Sequence, residues 1–183
     1  MDSHRISGRI LAENIAGPGM LRLVEQSMQA QARKTSVTEI AVKERKHPQA
    51  ALTFDDGPDI RYTPLLLDGL KERNVRASFF LLGEKVEQYP ELVERMQKEG
   101  HLVGNHTYHH VQLNKLNETK AREEILKTNN LIYETTGVYP LYLRPPFGAW
   151  KKNLELCVEM LPVFWTIDTL DWKVQNTEKI VDR

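Results

Sequence analysis

Ala50-Ala51-Leu52-Thr53-Phe54-Asp55-Asp56-Gly57-Pro58 is a short apolar run that stops abruptly in two carboxylates and a turn. The run reads as a buried strand, because Asp, Gly and Pro are the residues that end extended segments. The chain then alternates. Pro64 to Asn74 carries Leu66, Leu67 and Leu70 at helical spacing, with Thr63 as the expected N-cap. Ala77 to Leu82 reads as a second strand, and Pro90 to Glu99 as a helix closed by Gly100. Leu102 to Asn105 reads as a third strand, and Glu118 to Thr135 as a long amphipathic helix ending near Gly137. Leu141 to Arg144, Lys152 to Met160 and Val163 to Ile167 repeat strand, helix, strand. Strands separated by helices of ten residues or more require parallel pairing with right-handed crossovers. The expected class is therefore α/β, as a barrel or an open sheet.

Upstream of this alternation, Gly17-Pro18-Gly19 breaks the chain, Leu21, Val24 and Met28 recur at helical spacing, and Arg33 to His47 is polar. Two segments are expected: residues 1–47 as a helix and linker extension, and 48–183 as the folded domain. At 183 residues the chain suits one such domain. Its 25 basic and 25 acidic residues cancel, which gives no support for a nucleic-acid or anionic-membrane partner. No apolar run approaches the roughly 18 residues of a membrane span, and Met1 to Arg9 lack the profile of an export signal. Cys157 is the single cysteine and reads as a packed, inert thiol.

In parallel α/β folds, chemistry gathers where strands end. The inferred strands end in Asp55-Asp56, in His106-Thr107-Tyr108-His109-His110, in Arg144-Pro145-Pro146-Phe147-Gly148 and in Asp168-Thr169-Leu170-Asp171-Trp172. These clusters are expected at one rim of the sheet. Alone, Asp-Asp-Gly-Pro is a turn. Adjacent residues leaving a strand point to opposite sides, however, so one carboxylate can ligate a metal while its neighbour faces another partner. His106 and His110 have a spacing that places both on one face of a helical turn, although His109 could replace either. Two imidazoles and one carboxylate leave positions open for water, as a catalytic metal requires. Zinc suits that set, and non-haem Fe(II) uses the same ligand types. Arg144, ahead of two prolines, can orient a carboxylate through a bidentate contact. A zincin protease is disfavoured, because His-Glu-x-x-His does not occur.

Taken in order, these motifs resemble the NodB-like polysaccharide deacetylases, carbohydrate esterase family four, over about Ala50 to Trp172. The resemblance implies a distorted (β/α) barrel, incomplete here at its C-terminal end, that binds a divalent metal, usually zinc. It also implies a hydrolase that removes acetyl groups from a polysaccharide, with peptidoglycan or a chitin-like N-acetylglucosamine polymer as the expected substrate. By the same resemblance Asp56, His106 and His110 are the metal ligands, and Asp55 is the general base for the attacking water. Thr107 braces the histidine loop. Arg144 pairs with Asp55, the backbone N–H of Phe147 stabilises the oxyanion, and Asp171 tunes the general acid. Pro146, Phe147 and Trp172 line the sugar site. The family's later hydrophobic-His motif, which carries the general acid, is absent from this sequence, since no histidine follows His110. That absence opens an alternative: a weakly active domain that binds metal and glycan. Family resemblance further implies work outside the membrane or at the cell wall, without fixing the oligomeric state.

Overall fold

The computed structural model describes residues 50–150, 158–174 and 176–181. The readings for residues 1–47 and for the first part of Lys152 to Met160 lie outside them. The compact unit that begins at Thr53 runs β1 (Thr53–Gly57), α1 (Tyr62–Glu72), β2 (Ser78–Leu81), α2 (Gly83–Gln88), α3 (Pro90–Lys98) and β3 (Leu102–Asn105). Then come a 3-10 turn (Leu113–Lys115), α4 (Glu118–Thr136), β4 (Tyr142–Leu143), a second 3-10 turn (Pro146–Gly148), β5 (Leu161–Pro162), α5 (Asp171–Val174) and α6 (Thr177–Val181). The five strands form one sheet in the order β1-β2-β3-β4-β5, and each neighbouring pair is parallel. The α/β reading therefore holds.

Period-two alternation gives the sheet two distinct faces. Phe79 faces the helices and packs in a cluster with Leu67, Leu70, Leu81, Val86, Val93 and Met96. Phe80, the next residue, lies on the other face beneath the Arg144 guanidinium, 4.1 Å from its ring centroid. Both phenylalanines are buried, which is why Ser78–Leu81 reads as a continuous apolar run rather than as an alternation. The helices dock by spacing in the same way. α3 buries Leu92, Val93 and Met96, each worth roughly 1.5–3 kcal/mol over exposure. α4 starts where Asn117 Oδ1 accepts the Lys120 N–H at 2.9 Å, and ends at Gly137, whose φ of 72° is the left-handed C-cap. It buries Ala121 and Ile125 against Leu113 and Leu143. No helix among the described residues is long and apolar enough to cross a membrane.

Several local expectations are corrected. Thr63 does not cap α1. The cap is Asp59, whose Oδ1 accepts the N–H groups of Arg61 and Tyr62 at 2.8 and 2.9 Å, while Thr63 Oγ1 accepts the Asp59 N–H at 2.8 Å. Val158 to Met160 are not helical. The fifth strand is Leu161–Pro162 rather than Val163 to Ile167. Its position follows its neighbour: Leu161 and Val163 donate to the carbonyls of Leu141 and Leu143 at 2.9 and 2.8 Å. Beyond Arg144 come two prolines, which cannot donate to a ladder.

Candidate metal centre

β1 carries a bulge where its two carboxylates sit. Asp55 pairs with Phe80 and Gly57 with Leu81, so Asp56 is an extra residue in the ladder. Its φ is 64°, in the left-handed region. A bulge re-aims the side chain it carries, and here it separates two adjacent carboxylates that would otherwise repel. Asp55 keeps the face of Thr53 and Phe80, while Asp56 turns towards the loop after β3. The amine of Lys85, on α2, donates to the Asp56 carbonyl at 2.7 Å and so braces the bulge.

Asp56 Oδ1 lies 3.4 Å from His106 Nε2 and 3.3 Å from His110 Nε2, and all three donor atoms fall within 4.8 Å of one another. A tetrahedral cation with bonds of about 2.0–2.1 Å holds its donors about 3.3–3.4 Å apart, so both carboxylate–imidazole separations fit such an ion. His106 Nδ1 is 2.5 Å from the Arg144 carbonyl oxygen. A carbonyl only accepts, so Nδ1 carries the hydrogen and Nε2 presents its lone pair. With no ion between them, a protonated His106 ring would donate from Nε2 to Asp56 and hold its carboxyl below the ordinary 3.8, more than offsetting partial burial; metal binding would replace that proton. Burial pushes His110 down from 6.5. An ionised carboxylate and a neutral imidazole are the protonation states a metal needs. His106 is buried and Asp56 is 57% exposed, so the group opens to solvent on the carboxylate side.

The histidine loop is not a helical turn, although its spacing suggests one. Thr107 and His110 have φ of 67° and 57°, and the rings of His106 and His110 are brought to a centroid distance of 5.1 Å by loop geometry. His109 lies outside the group of donor atoms within 4.8 Å of one another, which is Asp56, His106 and His110; its Nδ1 faces Glu124 Oε1 at 2.7 Å instead. Thr107 is buried, and its Oγ1 accepts the Val111 N–H at 3.3 Å, a contact that spans the loop.

Arg144 Nη1 donates to Asp55 Oδ1 and to Thr53 Oγ1, both at 2.7 Å. Nη2 reaches the Phe164 carbonyl at 3.4 Å. The expected two-pronged contact with Asp55 is thus a single one, with the guanidinium shared among three acceptors. Phe147 adopts φ 60°, and its ring lies 4.6 Å from that of His110. The neighbouring N–H groups of Gly148 and Ala149 bond to Pro145 and Pro146, whereas no hydrogen bond among the described residues takes the Phe147 N–H. Pro146 is buried under this turn. Among the described residues, no hydrogen bond, ion pair or ring contact joins Asp171 or Trp172 to the group. Asp171 accepts from Thr169 Oγ1 at 3.1 Å, and Trp172 is 70% exposed.

The family model for polysaccharide deacetylase matches residues 42–163. The chain belongs to this family. It is 45% identical over 137 residues to a peptidoglycan-N-acetylglucosamine deacetylase of Bacillus cereus, covering 73% of this chain and 50% of that one. It is 42% identical over 133 residues to the peptidoglycan-N-acetylmuramic acid deacetylase PdaC of Bacillus subtilis, covering 73% of this chain and 28% of that one. The solved structure of PdaC superposes with a TM-score of 0.69 at 41% identity, over 72% of this chain and 65% of that chain. The chain thus spans about half the length of the Bacillus cereus relative and under a third of PdaC. For a polysaccharide deacetylase, the residues that sequence reasoning misses are those holding the site from behind. They are Lys85, Asn105 and Glu124, whose types are common on any helix or strand and carry no motif.

Proposed function

We propose that this polysaccharide deacetylase domain hydrolyses the acetamide of N-acetylated sugars in a cell-wall glycan. Peptidoglycan is the leading substrate, because relatives 45% and 42% identical to this chain carry peptidoglycan in their names. The observation that carries the reading is the division of labour between two adjacent carboxylates. One faces two imidazoles at metal-ligand spacing, and the other is held 2.7 Å from an arginine.

Asp56, His106 and His110 would hold a divalent cation, zinc in our reading. Such an ion supplies Lewis acidity, polarising the acetyl carbonyl and making water acidic enough to ionise near neutrality. Asp55 takes the proton of the attacking water, and Arg144 fixes the direction in which that carboxylate points. The Phe147 N–H donates to the oxyanion that develops, an interaction of a kind worth ~10²–10³-fold in rate. Pro146, Phe147 and Trp172 border the sugar. No histidine follows His110 to serve as the acid that Asp171 would tune, so the departing amine takes its proton from Asp55, which received it from the attacking water, or from solvent. A substrate of this kind places the domain's work outside the membrane, at the cell wall.

Acetate release from N-acetylglucosamine oligomers tests the reading, comparing zinc-loaded with chelated protein and with Asp55→Asn. Asn keeps an oxygen for Arg144 but cannot act as a base. The variant should bind one metal equivalent and lose ~10²–10⁴-fold in rate, the usual contribution of a general base. Release indifferent to both chelation and Asp55→Asn overturns the proposal.

A further inference from the structure

His106 and His110 stand at the two ends of a loop whose backbone is unfavourable by itself. Thr107 and His110 both sit at positive φ, a left-handed backbone that strains a non-glycine residue. Such a loop persists only if its surroundings over-determine it. From below, Asn105 Oδ1 accepts the Thr107 N–H at 2.7 Å. The Thr107 and Tyr108 carbonyls take the N–H groups of Gly83 and Glu84 at 3.0 and 3.3 Å. The crest is held by one side chain from α4. Glu124 Oε2 accepts the N–H of Tyr108 at 3.1 Å and that of His109 at 2.9 Å, while its Oε1 faces His109 Nδ1 at 2.7 Å.

Glu124 is an unusual carboxylate for an outer helix. Its side chain is only 15% exposed, and its ion-pair partner among the described residues is His109, within the loop itself. The helix is in turn tied to β3, because Asn105 Nδ2 donates to the Ile125 carbonyl at 2.9 Å and to Asn129 Oδ1 at 2.7 Å. Glu124 therefore stands on a rigid support and spends its acceptors on the residues between the two imidazoles.

We propose that Glu124 is the positioning residue of the metal centre: by clamping the Tyr108 and His109 amides it sets the separation and aim of His106 and His110. The inference rests on those histidines being metal ligands. It acts through length and direction, not through charge at the metal. Glu124→Gln, of equal length and still offering an oxygen to both amides, preserves the clamp. Glu124→Asp keeps the charge but withdraws it by one methylene and breaks the clamp.

Cobalt(II) titration, followed by its visible absorption and by far-UV circular dichroism, separates these roles in wild type, Glu124→Gln, Glu124→Asp and Asp56→Ala. Outer-shell partners typically contribute 10–100-fold to metal affinity. Glu124→Asp should weaken cobalt binding by about that factor with unchanged helicity and an altered absorption band, and Glu124→Gln should stay within about threefold of wild type. Wild-type affinity in Glu124→Asp overturns the inference, as does equal weakening in both Glu124 variants, which would assign the effect to charge. Asp56→Ala should abolish binding. Wild-type binding there overturns the metal-site reading itself, an outcome distinct from a failure confined to Glu124.

Discussion

His101 sits at the start of β3, the end away from the histidine loop, and is buried. Its Nδ1 accepts the Ala77 N–H at 3.2 Å, so the neutral ring carries its hydrogen on Nε2. That atom has no hydrogen-bond partner among the described residues; Glu99 Oε2, also without one, is 3.9 Å away. Burial pushes the His101 pKa below 6.5; Glu99 pulls it up, and Arg76 and Arg95 push it down. Protonation would also remove the lone pair that Ala77 uses. Below pH 6.5 the unfolded chain takes up a proton that the folded one refuses. Stability should therefore fall as pH drops from 6.5 to the depressed folded value, by at most about 1.4 kcal/mol per pH unit from this group. His101→Asn retains an acceptor for Ala77 and removes the titration. Its melting temperature should vary less between pH 7.5 and pH 5 than that of wild type, and an unchanged pH slope would count against the assignment. His110, which also titrates low, contributes to both proteins and cancels in the comparison. At this scale the sequence is a good guide to residues that carry chemistry in clusters, such as Asp55-Asp56 and His106 to His110. It is silent on His101, because an isolated histidine beside a glycine carries no pattern.

Elements are legible where burial dictates composition and illegible where a partner dictates the boundary. β2 can be read because both its faces are covered, so Ser78 to Leu81 has to be apolar almost throughout. The fifth strand is expected too late in the chain, because its limits are set by which β4 carbonyls are free, a fact its own residues do not encode. α2 is not anticipated, since in Gly83–Gln88 only Val86 is a buried apolar residue. The spacing of His106 and His110 implies a helical turn, yet a loop with two left-handed residues brings their rings equally close. Gly104 shows how tightly three strands depend on one another. A Cβ there would lie 2.7 Å from two atoms of the Phe80 ring and 3.1 Å from the Tyr142 carbonyl. The ring is held in place beneath the Arg144 guanidinium and the carbonyl is backbone, so neither yields easily. Gly104→Ala should lower unfolding free energy by about 1–3 kcal/mol, the usual cost of overpacking, measured by urea titration. A loss within error of zero would mean that the inner face has room the structure does not show.

At the scale of the whole molecule, the side chain of Arg144 reports how the sheet is shaped. In a flat sheet, β1 and the strand preceding Arg144 lie three spacings apart, about 14 Å, far beyond the reach of an arginine towards a threonine hydroxyl. Arg144 nonetheless bonds Thr53 and Asp55 on β1, covers Phe80 on β2 and contacts the Phe164 carbonyl beyond β5. The sheet must curl so that these strands face one another, as the barrel expectation requires. The α/β class and the identity of this arginine are readable in the sequence; its span across the interior is not, because contacts between residues 91 positions apart leave no local periodicity. Two roles for Arg144 can be separated. If it serves only to aim Asp55, Arg144→Lys should slow acetate release and leave stability alone, since an ammonium can still meet one carboxylate. If it also ties the curled sheet together, the substitution fails in that second role as well, because a point charge lacks the planar fork that serves Thr53, Asp55 and Phe164 at once. The geometry favours both roles. Arg144→Lys should lower the unfolding free energy by about 1.5–3 kcal/mol, the scale of a hydrogen bond to a charged group, and slow deacetylation at least tenfold. A wild-type urea midpoint with slowed turnover would confine Arg144 to the chemistry, and the curvature would then have to be held by packing of the apolar faces alone.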